Sequence, residues 1–87
     1  NSAGSWSPDG RQFAYVVYRE GNQELEIFDL ARRRAVRTLR TPNIGAAVDP
    51  AWSPDGKSIA FVGQVGGITN LYRYDLDTDA LEQLTEG

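Results

Sequence analysis

The sequence predicts an all-β chain built from two four-stranded antiparallel units. Three observations carry that prediction. The stretch "SWSPDGRQFAYVV" at residues 5–17 returns as "AWSPDGKSIAFVG" at residues 51–63, an offset of 46 residues from Trp6 to Trp52. Each copy is cut by Gly, Pro, Asp and Asn clusters into runs that suit strands. No segment sustains the i, i+3, i+4, i+7 apolar spacing of an amphipathic helix.

The elements follow in order within each copy. A short strand carrying the Trp runs over residues 4–7 and 49–53. "SPDG" then turns the chain: Pro presets φ, Asp tolerates the third position, and Gly takes the left-handed position that closes a hairpin. The β-branched and aromatic runs "FAYVVY" and "SIAFVG" give second strands at 12–18 and 58–64. The third strands, 24–30 and 69–76, include "NLYRYDL", which alternates Leu71, Arg73 and Asp75 with Tyr72, Tyr74 and Leu76. Turn formers such as "DTDA" break the pattern before a last strand at 34–40 or 80–85. Beyond Leu30 the second copy is one residue shorter, so Val36 and Leu39 align with Leu81 and Leu84.

A four-stranded unit repeating at this period is the blade of a β-propeller. The middle strands read nearly continuous in apolar residues, as they must if both faces of a blade are covered. The fold class expected is therefore all-β, two antiparallel propeller blades, with residues 1–41 as blade 1 and 42–87 as blade 2. A β-sandwich from a duplicated unit is the alternative. Propellers close with about four to eight blades, so two leave an apolar face open on each side. The missing blades come either from a longer parent chain or from further copies, three giving six blades and four giving eight. The chain does not begin with Met. With the repeats, that favours a piece of a longer protein.

Composition bounds the rest. A chain of 87 residues buries only roughly 60–65% of its unfolded surface. With no Cys and no His, disulfides and the common zinc sites are unavailable to support it. No apolar run approaches the roughly 18–20 residues of a membrane span, so membrane insertion is not expected. The net charge of −3 gives no general reason to expect nucleic acid as a partner.

"WSPDGKSIAFVG" followed by "NLYRYDLDTDALEQLT" resembles the WD40-like repeat of TolB-type propellers, and is related to blades of the prolyl oligopeptidase family. The likeness spans residues 5–85. It is weaker in the first copy, where "AVRTLRT" replaces the usual "QLT" ending. The matched residues are framework residues, so no family binding residue carries over.

The motif residues read as structural. Trp6 and Trp52 are expected to wedge between blades. Asp9 and Asp55 belong to turns, and Asp29 and Asp75 accept hydrogen bonds from turn amides. Asp75, Asp77, Asp79 and Glu86 match EF-hand positions 1, 3, 5 and 12, but Ala80 stands where that loop needs Gly and the flanks read as strands. No metal, cofactor-binding or catalytic residue is nominated, since no His or Cys can activate a nucleophile. Arg32, Arg33, Arg34, Arg37 and Arg40 make the first outer hairpin basic. Asp75, Asp77, Asp79, Glu82 and Glu86 make the second acidic, which reads either as two solvated edges that deter edge-to-edge aggregation or as neighbouring hairpins of complementary charge.

Three functions follow as expectations. The first is a non-catalytic scaffold that binds protein or peptide partners at its loops, residues 19–23, 42–48 and 64–69. The TolB resemblance implies a bacterial periplasmic or cell-surface location for it. The second is an accessory, substrate-gating propeller of a prolyl oligopeptidase-type serine hydrolase. The third is a purely structural array. Self-association into a trimer or tetramer goes with any of them.

Overall fold

The computed structural model describes residues 4–39, 41 and 44–86. Eight strands follow in chain order: β1 (Gly4–Trp6), β2 (Gln12–Arg19), β3 (Asn22–Asp29), β4 (Arg34–Leu39), β5 (Ala46–Trp52), β6 (Ser58–Val65), β7 (Ile68–Asp75) and β8 (Leu81–Gln83). They form two antiparallel sheets in sequence order, β1-β2-β3-β4 and β5-β6-β7-β8. Among the described residues there is no helix.

The two "SPDG" turns are wired alike. Ser7 accepts from the Gly10 amide at 2.9 Å, and Ser53 accepts from Gly56 at 2.9 Å. Ser7 Oγ donates to Asp9, whose carboxylate also accepts the Arg11 amide. Ser53, Asp55 and Lys57 repeat the arrangement. Gly10 and Gly56 sit at φ 71° and 72°, the left-handed region a side chain would strain.

At the opposite end, the β2–β3 and β6–β7 hairpins are tighter than the sequence suggests. Arg19 pairs with Asn22 and Val65 with Ile68, leaving two-residue turns at Glu20-Gly21 and Gly66-Gly67. All four turn residues have positive φ, the type I′ signature, whose twist matches that of the strands. Residues 19–23 and 64–69 are therefore mostly strand, not loop. Within 42–48, Ala46–Val48 belong to β5, while Pro42 and Asn43 lie outside the described residues. The expected Arg40 end of β4 also lies outside them.

Two bulges interrupt the ladders. In β5 the register shifts between Val48 and Ala51, which places Pro50, lacking an amide hydrogen, where no ladder bond is needed. In β4 the shift falls between the partners of Ile27 and Phe28: Arg37 opposes Ile27 and Ala35 opposes Phe28. Val36 is thus the extra residue. In the second sheet Glu82 opposes Arg73 and Leu81 opposes Tyr74 without a shift. Register therefore puts Leu81 in the place of Ala35, correcting its alignment with Val36.

The core lies between the sheets. From the first come Ala14, Leu25, Ile27 and Leu39; from the second come Ala47, Ile59, Phe61, Tyr72 and Tyr74. Strand β5 packs against β1, β2 and β3, so the second sheet's inner edge seats on the first sheet's face. Each large apolar side chain buried there contributes roughly 1.5–3 kcal/mol.

Candidate functional site

Two places could hold a ligand. The first is a cleft of about 170 Å³ lined by Ser7, Pro8, Asp9, Gln12, Trp52, Asp55 and Gly56. It is smaller than the roughly 300–1,000 Å³ of usual ligand pockets. Both its carboxylates are engaged. The Ser7 hydroxyl, then the Arg11 amide, hold Asp9 below the usual carboxylate range. The Ser53 hydroxyl and the Lys57 amide do the same for Asp55. The cleft is the seam where adjacent turns abut.

The second place is the hairpin-tip end. Tyr18 is 77% exposed, and Val65 and Ile68 are also exposed, all beside the Glu20-Gly21 and Gly66-Gly67 turns. Gln23 donates to the Tyr18 hydroxyl at 3.0 Å. The cross-strand bond steadies the ring while leaving its face open. The loops expected at this end, 19–23 and 64–69, take in Val65 and Ile68 and stop one residue short of Tyr18.

The outer hairpins meet as their charges suggest. Arg37 donates to the Leu76 carbonyl oxygen at 2.7 Å and pairs with Asp79. The bulge at Val36 is what re-aims that strand locally. The Tyr74 hydroxyl and Arg37 together hold Asp79 below its usual range. Burial, then the bond to Asp79, raises the Tyr74 hydroxyl. Asp29 accepts the Arg32 amide and the Gln12 side chain, while Asp75 accepts the Asp77 and Thr78 amides. The expected turn roles of these aspartates are what the structure has. Among the described residues no group of three or more acidic side chains is placed to hold a metal ion.

Trp52 crosses between the sheets: its indole N–H donates to the Ser5 carbonyl oxygen at 2.9 Å. Trp6 does not repeat this. It lies tilted on Phe13 of its own sheet, with ring centroids 4.9 Å apart. It is 53% exposed.

Around Glu26 the first sheet carries a polar cluster. Its carboxylate accepts the Tyr15 hydroxyl at 2.6 Å and an Arg19 guanidinium N–H. Burial and the bond to Glu26 push the Tyr15 hydroxyl up to about 12.

Comparison with known proteins assigns the architecture. The family model described as the TolB beta propeller domain matches residues 1–87. TolB from Acinetobacter baumannii superposes with a TM-score of 0.81 at 27% identity, covering 97% of this chain and 21% of that one. A putative TolB from Agrobacterium tumefaciens gives 0.85 at 27% identity, covering 100% of this chain and 31% of that one. A puromycin hydrolase mutant complexed with PGG gives 0.71 at 28% identity, covering 99% of this chain and 14% of that one. The chain thus spans about a third or less of the solved structures it resembles. No curated protein sequence matches it. The similarity decides between sandwich and blades, because each sheet takes the place of a propeller blade. With its two four-stranded blades and a family match along its whole length, the chain belongs to the TolB β-propeller domain family.

Proposed function

We propose that the chain is a non-catalytic propeller segment that binds a protein or peptide at its hairpin-tip end. The observation that carries this reading is the exposure of Tyr18, Val65 and Ile68 beside two rigid type I′ turns. Fixed apolar anchors at loop ends on a rigid sheet suit partner docking, since they are already ordered before binding. The engaged carboxylates of the opposite rim offer no comparable surface. Propeller domains of this family are usually non-catalytic, and family resemblance suggests the bacterial periplasm.

Selection of displayed peptides on the 87-residue chain tests the proposal. Selected peptides should bind Tyr18→Ser and Ile68→Ser variants at least tenfold more weakly, with unchanged circular dichroism. Binding indifferent to both substitutions, or lost on Lys57→Ala at the other rim, overturns it.

The likeness to puromycin hydrolase favours one second reading, an accessory propeller that gates substrates for a prolyl oligopeptidase-type serine hydrolase. A G-x-S-x-G nucleophile elbow encoded downstream in the same gene would decide for it.

A further inference from the structure

Among the described residues, each outer face of the pair is a blade face with no sheet packed on it. On the first sheet it carries Trp6, Phe13, Tyr15, Glu26 and Phe28. Their counterparts in the second sheet, Trp52, Ile59, Phe61, Tyr72 and Tyr74, all pack into the core or against it. On the second sheet the outer face carries Leu71, Arg73, Glu82 and Leu84. Leu71 is 39% exposed and Leu84 is 42%, whereas their counterparts Leu25 and Leu39 are fully buried.

The seam already present within the chain shows how one face meets the other. From the first sheet, Arg37 reaches Asp79 and the Leu76 carbonyl oxygen. From the second, Trp52 reaches the Ser5 carbonyl oxygen. Register identifies the counterpart of each group. Glu82 stands in the place of Arg37, because it opposes Arg73 as Arg37 opposes Ile27. Arg33 stands in the place of Asp79, and both have positive φ, 54° and 59°. The two members of the pair have exchanged charge.

The same exchange occurs deeper in the faces. Arg73 stands in the place of Ile27, and Glu26 stands in the place of Tyr72. Two apolar residues of the core, Ile27 and Tyr72, correspond to a positive and a negative residue on the two open faces.

We propose that the open faces receive each other, blade 2 of one copy seating on blade 1 of a second copy. Glu82 of the first copy then pairs with Arg33 of the second, and Arg73 faces Glu26. Trp6 of the second copy donates to the Ala51 carbonyl oxygen of the first. The wrong orders are opposed by like charges. Arg37 and Asp79 are already paired inside the chain, so blade 1 on blade 1 brings two Arg33-bearing faces together, and blade 2 on blade 2 brings together two faces bearing Glu82. Charge complementarity of this kind fixes register and suppresses wrong partners more than it adds affinity. The apolar remainder of both faces supplies the attraction. The contact is head-to-tail, so it closes into a ring when the rotation allows.

The test is the mass of the 87-residue chain by light scattering after size exclusion, with circular dichroism on the same sample. The wild type should be a discrete β-rich oligomer. Arg33→Glu alone and Glu82→Arg alone should each weaken association by roughly three- to tenfold per junction. The Arg33→Glu/Glu82→Arg double variant should recover it, and raised salt should reduce the difference among variants. Because Glu82 also bonds Arg73 in its own sheet, Trp6→Phe serves as an independent arm and should weaken association without touching that bond. A folded monomer at every concentration overturns the proposal. So does an unfolded chain that folds only when joined to other blades, which would make those blades the occupants. Single variants no weaker than wild type, or a double variant no better than the singles, also overturn it.

Discussion

Trp52 hands its indole proton to the backbone oxygen of Ser5, and this bond ties the inner strand of one sheet to the inner strand of the other. Trp52→Phe keeps most of the ring but leaves that carbonyl without its donor. Net hydrogen-bond contributions are about 1 kcal/mol, with a further cost when a partner is left unsatisfied. The variant should lose about 1–2 kcal/mol in urea denaturation. A loss no larger than that of Leu84→Ala, on the open face, would show that the bond does not hold the seam.

Glu20 occupies a left-handed position at φ 50° that Gly66 fills in the second copy. That conformation costs a side-chain-bearing residue roughly 1–2 kcal/mol, less for Asn. Glu20→Asn should stabilise by about 0.5–1 kcal/mol, and Gly66→Ala should destabilise by about 1 kcal/mol. A Cβ on Gly66 would meet no atom within 4 Å, so backbone strain alone would be read. Thermal melts of both variants check the pair, and shifts of the same sign would count against type I′ geometry.

Gly63 lies under an aromatic ring. A Cβ there would come within 2.9 Å of Tyr72 Cδ1 and Cε1 and 3.0 Å of Ile44 Cγ2. Tyr72 stacks on Phe61 at 5.7 Å, which limits its retreat. Gly63→Ala should cost about 1–3 kcal/mol as overpacking. In the first copy Val17 occupies this place, and Glu26 replaces the ring above it. A neutral substitution would mean that Tyr72 swings freely.

Stability should fall at both ends of the pH scale. Asp9, Asp29, Asp55, Asp75 and Asp79 all have folded values below the ordinary 3.8. Their contribution is present above that value and is lost as pH falls through the lowered ones. Tyr15 is raised from 10.0 to about 12, so its contribution is present below pH 10 and lost as pH rises through about 12. Urea midpoints across pH, with Tyr15→Phe as control, measure both limbs. A variant that keeps the alkaline limb unchanged would assign it to other groups.

Most of the strand order was legible because "SPDG" fixes where each hairpin starts and the middle strands are rich in β-branched and aromatic residues. The start of β5 was not. Gly45, Ala46 and Ala47 have weak strand propensity, and Pro50 argues against a strand until the bulge is known. The tips were read as longer loops. Gly66-Gly67 is a recognisable two-residue turn, but Glu20 is a poor candidate for positive φ and hides the matching one. Complementary outer hairpins could be read from charge alone. That Arg37 in particular meets Asp79 could not, because the extra Val36 resets the strand just before it. Nor could exposure at Tyr18, Val65 and Ile68, which depends on what neighbouring sheets cover.

The bulge at Val36 also says where a duplicated gene segment can drift. One copy has a residue the other lacks, yet Arg37 and Glu82 keep the same cross-strand station. The surplus is absorbed in the outermost strand, where the sheet borders solvent and nothing farther out must follow its register. Length changes among relatives should therefore accumulate at this rim. The end of the inner strand held through Trp-Ser-Pro-Asp-Gly keeps its register, the extra residue of β5 lying before Ala51.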